Sequence, residues 1–422
     1  MEYQVFKFGG ASVKSAEAVR NVADILNRYS GQKLMVVISA MAKTTNELEK
    51  LLSAYRNKLA HSRQIFEAIK LFHFQTFRLL IPNENLLATQ ALTLAFDELE
   101  AIISSPILDD EAEDYARIVS FGEIFATLIV YHYLLANDYS CQWIAATDCI
   151  TTDNQYLEAT VDWKRSPQQI KDHLIPEFEH HDIVISQGFI ARTSEGKIST
   201  LGREGSDYSA AIFAYALDAK CLTIWKDVPG LLNADPKFFD NTQKIDFITY
   251  RETIELAYYG ASIIHPKTIQ PLQNKKIPLH IKSFIEPLAE GSIIQAEVVK
   301  KQQIPSYIFK KEQVLISIAS RDFAFIAEQH LSQIFDKLAA AGLKINMMQN
   351  SAISFSICMD YKAEPLFSFI ESLQRDFNVK YNEHMELITI QHYNQSIIDN
   401  LIGSRKIYLE QKNRTTVQLL VR

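Results

Sequence analysis

The sequence carries none of the familiar phosphate-binding signatures. Nowhere does it read G-x-x-x-x-G-K-S/T or G-x-G-x-x-G, so neither a Walker-type loop nor a dinucleotide fingerprint is present. It has no C-x-x-C pair. Its four cysteines, Cys141, Cys149, Cys221 and Cys358, are scattered, which indicates neither zinc nor a disulfide framework and predicts buried thiols in a reducing compartment. It has no surplus of positive charge. A net charge of −7 gives no reason to expect nucleic acid or an anionic membrane as partner. No apolar run approaches the roughly 18 residues that span a bilayer, and no basic segment followed by an apolar one opens the chain. These absences predict a cytoplasmic protein. What remains is ordinary for a folded chain: 422 residues, 47% hydrophobic and 22% charged, enough for about two to four domains.

Strand and helix signals alternate from the start. Tyr3 to Phe8 reads as a short strand, and Val19, Val22, Ala23 and Leu26 make the stripe of an amphipathic helix capped by Ser15. Leu34 to Ser39 is a continuous apolar run, the pattern of a parallel strand covered on both faces. Residues 46–136 read as mostly helical, with breaks near Pro82 and Ser104-Ser105-Pro106. Further strands fit 142–145, 183–186, 221–225 and 279–282, and a helix fits 250–259, ending at Gly260. The pattern predicts an α/β fold, a mainly parallel sheet between two helical layers. Residues 286–312 read as a solvated linker. After it, 313–384 follows a strand–helix–strand–strand–helix–strand order, a ferredoxin-like α+β module, and 385–422 repeats part of it without a second helix or closing strand. Such a half-module has open edges, so it is expected to pair with the preceding module or another subunit.

Lys7-Phe8-Gly9-Gly10-Ala11-Ser12-Val13 joins the first strand to a helix. Read alone, it is equally a tight turn or an anion cradle of a lysine and bare amides. Ser39-Ala40-Met41 and Thr44-Thr45-Asn46 put hydroxyls beyond the second strand, as helix caps or as ligand donors. Glu123 opens an apolar helix, either capping it or facing a cleft as an ammonium ligand. Gly202-Arg203-Glu204-Gly205-Ser206-Asp207 is more specific, because a structural turn has no need of an arginine fork between glycines. Trp225 to Lys237 gathers charged and turn residues at another strand end. His265 has no paired acid or nucleophile nearby in sequence and reads as a packed or capping histidine.

In this order the segments resemble the amino-acid kinase family, and within it the aspartate kinases. The lead motif is similar to that family's Lys-Phe-Gly-Gly-Thr-Ser, with Ala11 in place of threonine. Ser39-Ala40-Met41, Gly202-Arg203 through Ser206-Asp207, Ala234-Asp235-Pro236 and Leu256 to Pro266 also match. The resemblance covers nearly all of residues 1–285. It implies a carbamate-kinase-like catalytic domain at 1–285, while 313–384 and 385–422 look like paired ACT regulatory modules.

The resemblance implies transfer of the ATP γ-phosphoryl group to the β-carboxylate of L-aspartate, the first step of lysine, threonine and methionine biosynthesis. A carboxylate needs no general base at neutral pH, which suits the missing histidine–acid pair. Lys7, Asp207 and Lys226 are implied as the catalytic charges. ATP would lie along Lys7, Phe8, Gly9, Gly10, Lys226, Asp227, Leu232, Asn233, Ala234, Asp235, Pro236 and Lys237, with magnesium on its phosphates and no metal ligand among the side chains. Aspartate would meet Ser39, Thr45, Glu123, Arg203, Gly205 and Ser206. Related kinases usually carry a lysine at Ser262, a threonine at Lys226 and an aromatic at Leu232; Lys226 is expected to restore the charge missing at Ser262. An amino-acid effector, threonine or lysine, would meet Arg321, Phe323, Asn346, Gln349, Asn350 and Ser351, although Asn346 and Ala352 stand where lysine sensors carry acids. A homo-oligomer through the ACT modules is expected. A silent amino-acid sensor, or a kinase for a related acidic amino acid, is the competing reading.

Overall fold

The computed structural model describes residues 2–82, 86–239, 241–261, 264–298, 303–321 and 325–422. Two compact units emerge. The first combines Met1–Leu231, Lys244–Ile254 and Ile263–Lys301; the second combines Leu232–Gln243, Glu255–Ser262 and Gln302–Arg422.

The first unit is built on a sheet of eight strands among the described residues. Their order is Phe247–Thr249, Ser292–Gln295, Leu279–Ser283, Cys221–Lys226, Tyr3–Phe8, Lys33–Ile38, Ile183–Gln187 and Cys141–Trp143. Every neighbouring pair is parallel except Leu279–Ser283 with Ser292–Gln295. Leu34 to Ile38 are all buried, as a strand covered on both faces requires. From Tyr3–Phe8 the chain first goes to Lys33–Ile38 on one side and later to Cys221–Lys226 on the other. The carboxyl ends of these central strands therefore form a topological switch point, where open α/β sheets place their ligands.

Helices Ser62–Leu80, Leu86–Ser104, Glu111–Val119 and Phe121–Ala136 fill the long helical stretch, and Ser15 caps Ala16–Asn27 by accepting the Ala18 amide at 3.3 Å. The expectation about apolar length needs a correction. The stretch Glu111–Ala136 is long and apolar enough to cross a membrane by composition. Two-thirds of its apolar window is buried in the protein, however, and Phe125, Ile129 and Val130 belong to the main core, so the hydropathy reflects a central helix. All four cysteines are buried and free.

The second unit carries an antiparallel sheet of six strands among the described residues, in the order Ile345–Asn350, Ser354–Asp360, Ser306–Ala319, Asn378–Gln391, Thr416–Val421 and Ile407–Lys412. Ser306–Ala319 and Asn378–Gln391 each serve two modules. Leu315 to Ala319 pair with Asn378 to Asn382 in the first module, while Ser306 to Lys310 pair with Leu387 to Gln391 in the second. Both strands bend where they change module: Glu312 and His384 have φ of 51° and 56°, and His384 Nδ1 lies 3.0 Å from Glu312 Oε2.

This differs from the linker at 286–312 and the module break at 384/385. Ser292–Gln295 belongs to the first unit's sheet, and Ser306 to Lys310 supply the strand that the short C-terminal module lacks. Lys, Gln and Pro around residue 300 advertise a solvated segment, but backbone pairing across some 80 residues leaves no local signature. Helices Glu328–Ala340 and Ala363–Gln374 cover the first module, and Gln395–Ile402 covers the second.

Candidate active site

A cleft of about 640 Å³ opens at the switch point, within the first unit. Lys7, next to last in the first strand, points its ammonium at Asp207, 2.6 Å away, with both side chains almost wholly buried. Asp207 and Ser206 lie in the first turn of the helix Gly205–Ala216, whose N-terminus stands at the cleft wall. Gly10 starts a short 3₁₀ turn over Gly10–Val13. A Cβ on it would lie 2.7 Å from the Ala40 carbonyl oxygen and 3.0 Å from that of Ala42, so only glycine lets the two strand-end loops meet. The Ala42 amide donates to the Gly10 carbonyl at 3.1 Å and the Ser39 amide to the Phe8 carbonyl at 3.0 Å, which locks those loops together.

Glu123 sits in the first turn of Phe121–Ala136 and does more than cap it. Its Oε1 accepts the Ala40 amide at 3.1 Å from another loop, while Oε2 is buried with no hydrogen-bond partner. Burial pushes this carboxyl up to about 8, against the pull of the Ala40 amide and the Lys7 charge. Thr45, in the first turn of Thr44–Arg56, Ser39 and Arg203 complete the lining. Arg203 is exposed and has no ion-pair partner among the described residues. The cleft thus offers a carboxylate-matching fork, a buried acid with a spare oxygen, and a lysine held by an aspartate. That set holds an ammonium and several anionic oxygens at once.

Residues 2–283 match the family model described as the amino acid kinase family. Over 365 residues the chain is 30% identical to the lysine-sensitive aspartokinase 3 of Escherichia coli (strain K12), covering 85% of this chain and 78% of that one. The chain belongs to the amino acid kinase family, among the aspartokinases. Crystal structures of E. coli aspartokinase III share the architecture. The complex with lysine and aspartate aligns with a TM-score of 0.84 at 25% identity, over 100% of this chain and 96% of that one. The complex with aspartate and ADP aligns with 0.82, over the same shares.

Lys7, Gly10, Ser39, Thr45, Glu123, Arg203, Gly205, Ser206 and Asp207 all line this one aspartokinase cleft. Other expected residues stand elsewhere. Phe8 is fully buried and stacks on Trp225, with ring planes 5° apart, so its side chain belongs to the core and cannot meet a nucleotide. Gly9 lies beside the Lys7 ammonium. Lys226 does not line the cleft, yet register places it on the sheet face of Lys7, because Lys7 pairs with Ile224 and Lys226 follows two residues later. Asp227 beyond it is exposed.

Leu232 to Lys237 group with the second unit. There the Asn233 side chain donates to the Pro305 carbonyl at 2.8 Å and accepts the Gln243 amide at 2.7 Å, and Asp235 accepts the Lys237 amide at 2.9 Å. The Asn233 side chain thus ties the Gln243 amide to the Pro305 carbonyl. Ser262 and Phe323 lie outside the described residues. Arg321 donates to the Gln374 carbonyl at a helix end and Ser351 bonds Ser354, and both residues are exposed. Asn346 is tied to Lys310, Gln313 and Asp360. Gln349 and Asn350 are exposed.

Tyr115, Leu157, Glu158, Phe189 and Glu204 also line the cleft and were not anticipated. Burial, then the hydrogen bond to Glu49, holds the Tyr115 phenol well above its ordinary range, so it remains a neutral donor. Phe189 and Glu204 do leave a trace in the backbone, with φ of 68° and 54° at non-glycine residues, but a sequence does not print φ.

Proposed function

We propose that this cleft binds L-aspartate and ATP and transfers the γ-phosphoryl group to the β-carboxylate, forming 4-phospho-L-aspartate and ADP. The observation that carries the reading is the buried Lys7–Asp207 pair sharing one cleft with the Arg203 fork and the unpartnered oxygen of Glu123. Arg203 takes the α-carboxylate, with Ser39, Thr45 and Ser206 donating hydroxyls and the Gly205 turn bringing up the positive end of its helix. Glu123 takes the ammonium. Asp207 aims Lys7 at the transferred group. The β-carboxylate oxygen attacks phosphorus, the bond to the bridging oxygen breaks, and ADP leaves with the electron pair. No proton moves, so no general base is required.

For the nucleotide, Gly9 keeps the space beside the Lys7 ammonium free of a side chain, Gly10 joins the strand-end loops at the cleft wall, and Lys226 and Asp227 follow on the adjacent strand end. For Leu232, Asn233, Ala234, Asp235, Pro236 and Lys237 the nucleotide role rests on the family resemblance alone. No group of three candidate ligand side chains occurs among the described residues, so magnesium, when bound, would be held by the nucleotide phosphates and water. When bound it would neutralise phosphate charge. Lys226 supplies the cation that Ser262 does not; Lys226→Thr should cripple turnover, and adding Ser262→Lys should recover part of it. Unchanged turnover in the first variant overturns that assignment.

We further propose ACT-type regulation by threonine or lysine, homo-oligomerisation through the second unit and a cytoplasmic setting. The deciding experiment supplies ATP, magnesium, aspartate and hydroxylamine and measures aspartyl hydroxamate. Product with aspartate and not with glutamate or acetylglutamate supports the reading. No product at any magnesium concentration overturns it in favour of a silent sensor.

A further inference from the structure

Glu204 stands between Arg203 and Gly205 with φ 54° and ψ 25°, a left-handed conformation that glycine adopts freely and glutamate does not. The turn already uses glycine at Gly202, where φ is 76°, so the chain tolerates a bulky acid at a place where a glycine would relax. The side chain explains what the backbone strain secures. Glu204 Oε2 accepts the His265 amide at 2.9 Å, reaching 61 residues along the chain. His265 is the N-cap of the helix Pro266–Lys275, where its Nδ1 accepts the Lys267 amide at 3.2 Å and its carbonyl accepts the Thr268 amide. The Glu204 carbonyl in turn accepts the Asp207 and Tyr208 amides at 3.0 and 3.2 Å, fixing the first turn that carries Ser206 and Asp207.

One residue therefore joins two helix N-termini from inside the cleft lining. Its carboxylate is the acid adjacent in sequence to Arg203, yet it is engaged with His265 while the guanidinium has no ion-pair partner among the described residues. An untethered acid at this point would compete with an incoming carboxylate for the same fork.

We propose that Glu204 is a positioning residue for substrate anion binding: its bond to the His265 amide fixes the Arg203 turn and keeps its own carboxylate off the guanidinium. The proposal rests on the aspartate reading above for its kinetic consequence and on hydrogen bonding alone for its structural one. Glu204→Gln keeps an acceptor oxygen of the same reach and should leave the aspartate KM within about twofold. Glu204→Asp is too short to reach His265 and keeps a free acid beside Arg203; it should raise the aspartate KM about tenfold, with kcat and the ATP KM nearly unchanged. An unchanged aspartate KM in Glu204→Asp, or an equal rise in Glu204→Gln, overturns the proposal. Amide hydrogen exchange over residues 201–208 and 264–268 supplies a readout that needs no substrate. Exchange should quicken in Glu204→Asp and in Glu204→Gly, the latter relieved of backbone strain and so expected to fold, and not in Glu204→Gln. Exchange unchanged in both shortened variants overturns the tether even if the wild-type protein makes no hydroxamate, in which case the aspartate reading fails separately.

Discussion

Two polar clusters in this chain have similar composition and opposite character. In the first unit, Glu123 keeps a buried oxygen without a partner and Arg203 has no counter-charge among the described residues. On the sheet of the second unit, Lys310 donates to Asn346 at 2.8 Å, Asn346 donates to Gln313 and Asp360 at 2.7 and 2.8 Å, and Gln313 donates to Asp360 at 2.9 Å. Burial holds the Lys310 ammonium below its ordinary range, and the network keeps it supplied with an acceptor and the nearby charge of Asp360. Buried polar groups are normally satisfied, so an orphan is informative. The first cluster is incomplete without a ligand, and the second closes on itself at the bend that joins two modules. Sequence resemblance marked Glu123 and Arg203 in the first and Asn346 alone in the second as ligand contacts; hydrogen-bond accounting separates the clusters.

The sharpest way to test the contrast is to remove the charge at the heart of the cleft. Lys7→Ala takes away the cation proposed to meet the transferred group and leaves Asp207 buried without its partner. Turnover should fall by about 10²–10³-fold, the usual cost of losing one preorganised charge stabiliser. Near-normal kcat in the hydroxamate assay would remove Lys7 from the mechanism. Next in size is Arg203→Lys, which keeps charge and loses the planar fork. Hydrogen bonds to charged groups contribute about 1.5–3 kcal/mol, so the aspartate KM should rise about 10–100-fold. An unchanged aspartate KM with an altered ATP KM would reassign the arginine to the nucleotide.

The orphan oxygen of Glu123 makes a pH-dependent prediction. Its carboxyl is raised from 4.5 to about 8 by burial, so the free protein holds the proton at neutral pH. A raised carboxyl stabilises the fold fully below 4.5, and that contribution is lost as pH rises through about 8. Ligand binding runs the other way, because only the ionised form attracts an ammonium. Aspartate affinity should therefore rise about tenfold between pH 6 and 7 and level off above 8, with a proton released on binding. Glu123→Gln should flatten both profiles and weaken binding at pH 8. An aspartate affinity independent of pH in the wild-type protein would show that Glu123 is ionised throughout or does not meet the ammonium.

How far the sequence carried this contrast depends on what each cluster is made of. Lys7, Gly10, Arg203 and Asp207 were legible because their neighbours in sequence are also their neighbours in space: each lies at a strand end or helix start, and the parallel sheet stacks those ends together. Glu123 was legible as a residue type at a helix start, but whether it capped that helix or faced a cleft depended on the Ala40 loop 83 residues away. The strand Ser306 to Lys310 was missed for a similar reason. The lysines, glutamines and proline before it read as linker, and only the antiparallel partner Leu387 to Gln391 makes it a strand. Asn346 was read by analogy as an effector contact, since no local pattern announces that Lys310 and Asp360 will saturate it.

The smallest expected effect tests the closed cluster. Asn346→Ala leaves Lys310 half-buried without its acceptor and Asp360 with only the Gln313 donor of this network. Losing such a bond costs about 1–2 kcal/mol, which should show as a drop of a few degrees in the melting of the second unit. Because the network closes within its own sheet, kcat and both KM values should stay within about twofold, and any inhibition by lysine or threonine should match the wild-type response. If Asn346 instead contacts an effector, the signs exchange. The variant would melt normally and lose its response to the amino acid, and the distinction drawn between a satisfied cluster and a ligand site would have to be given up for this unit.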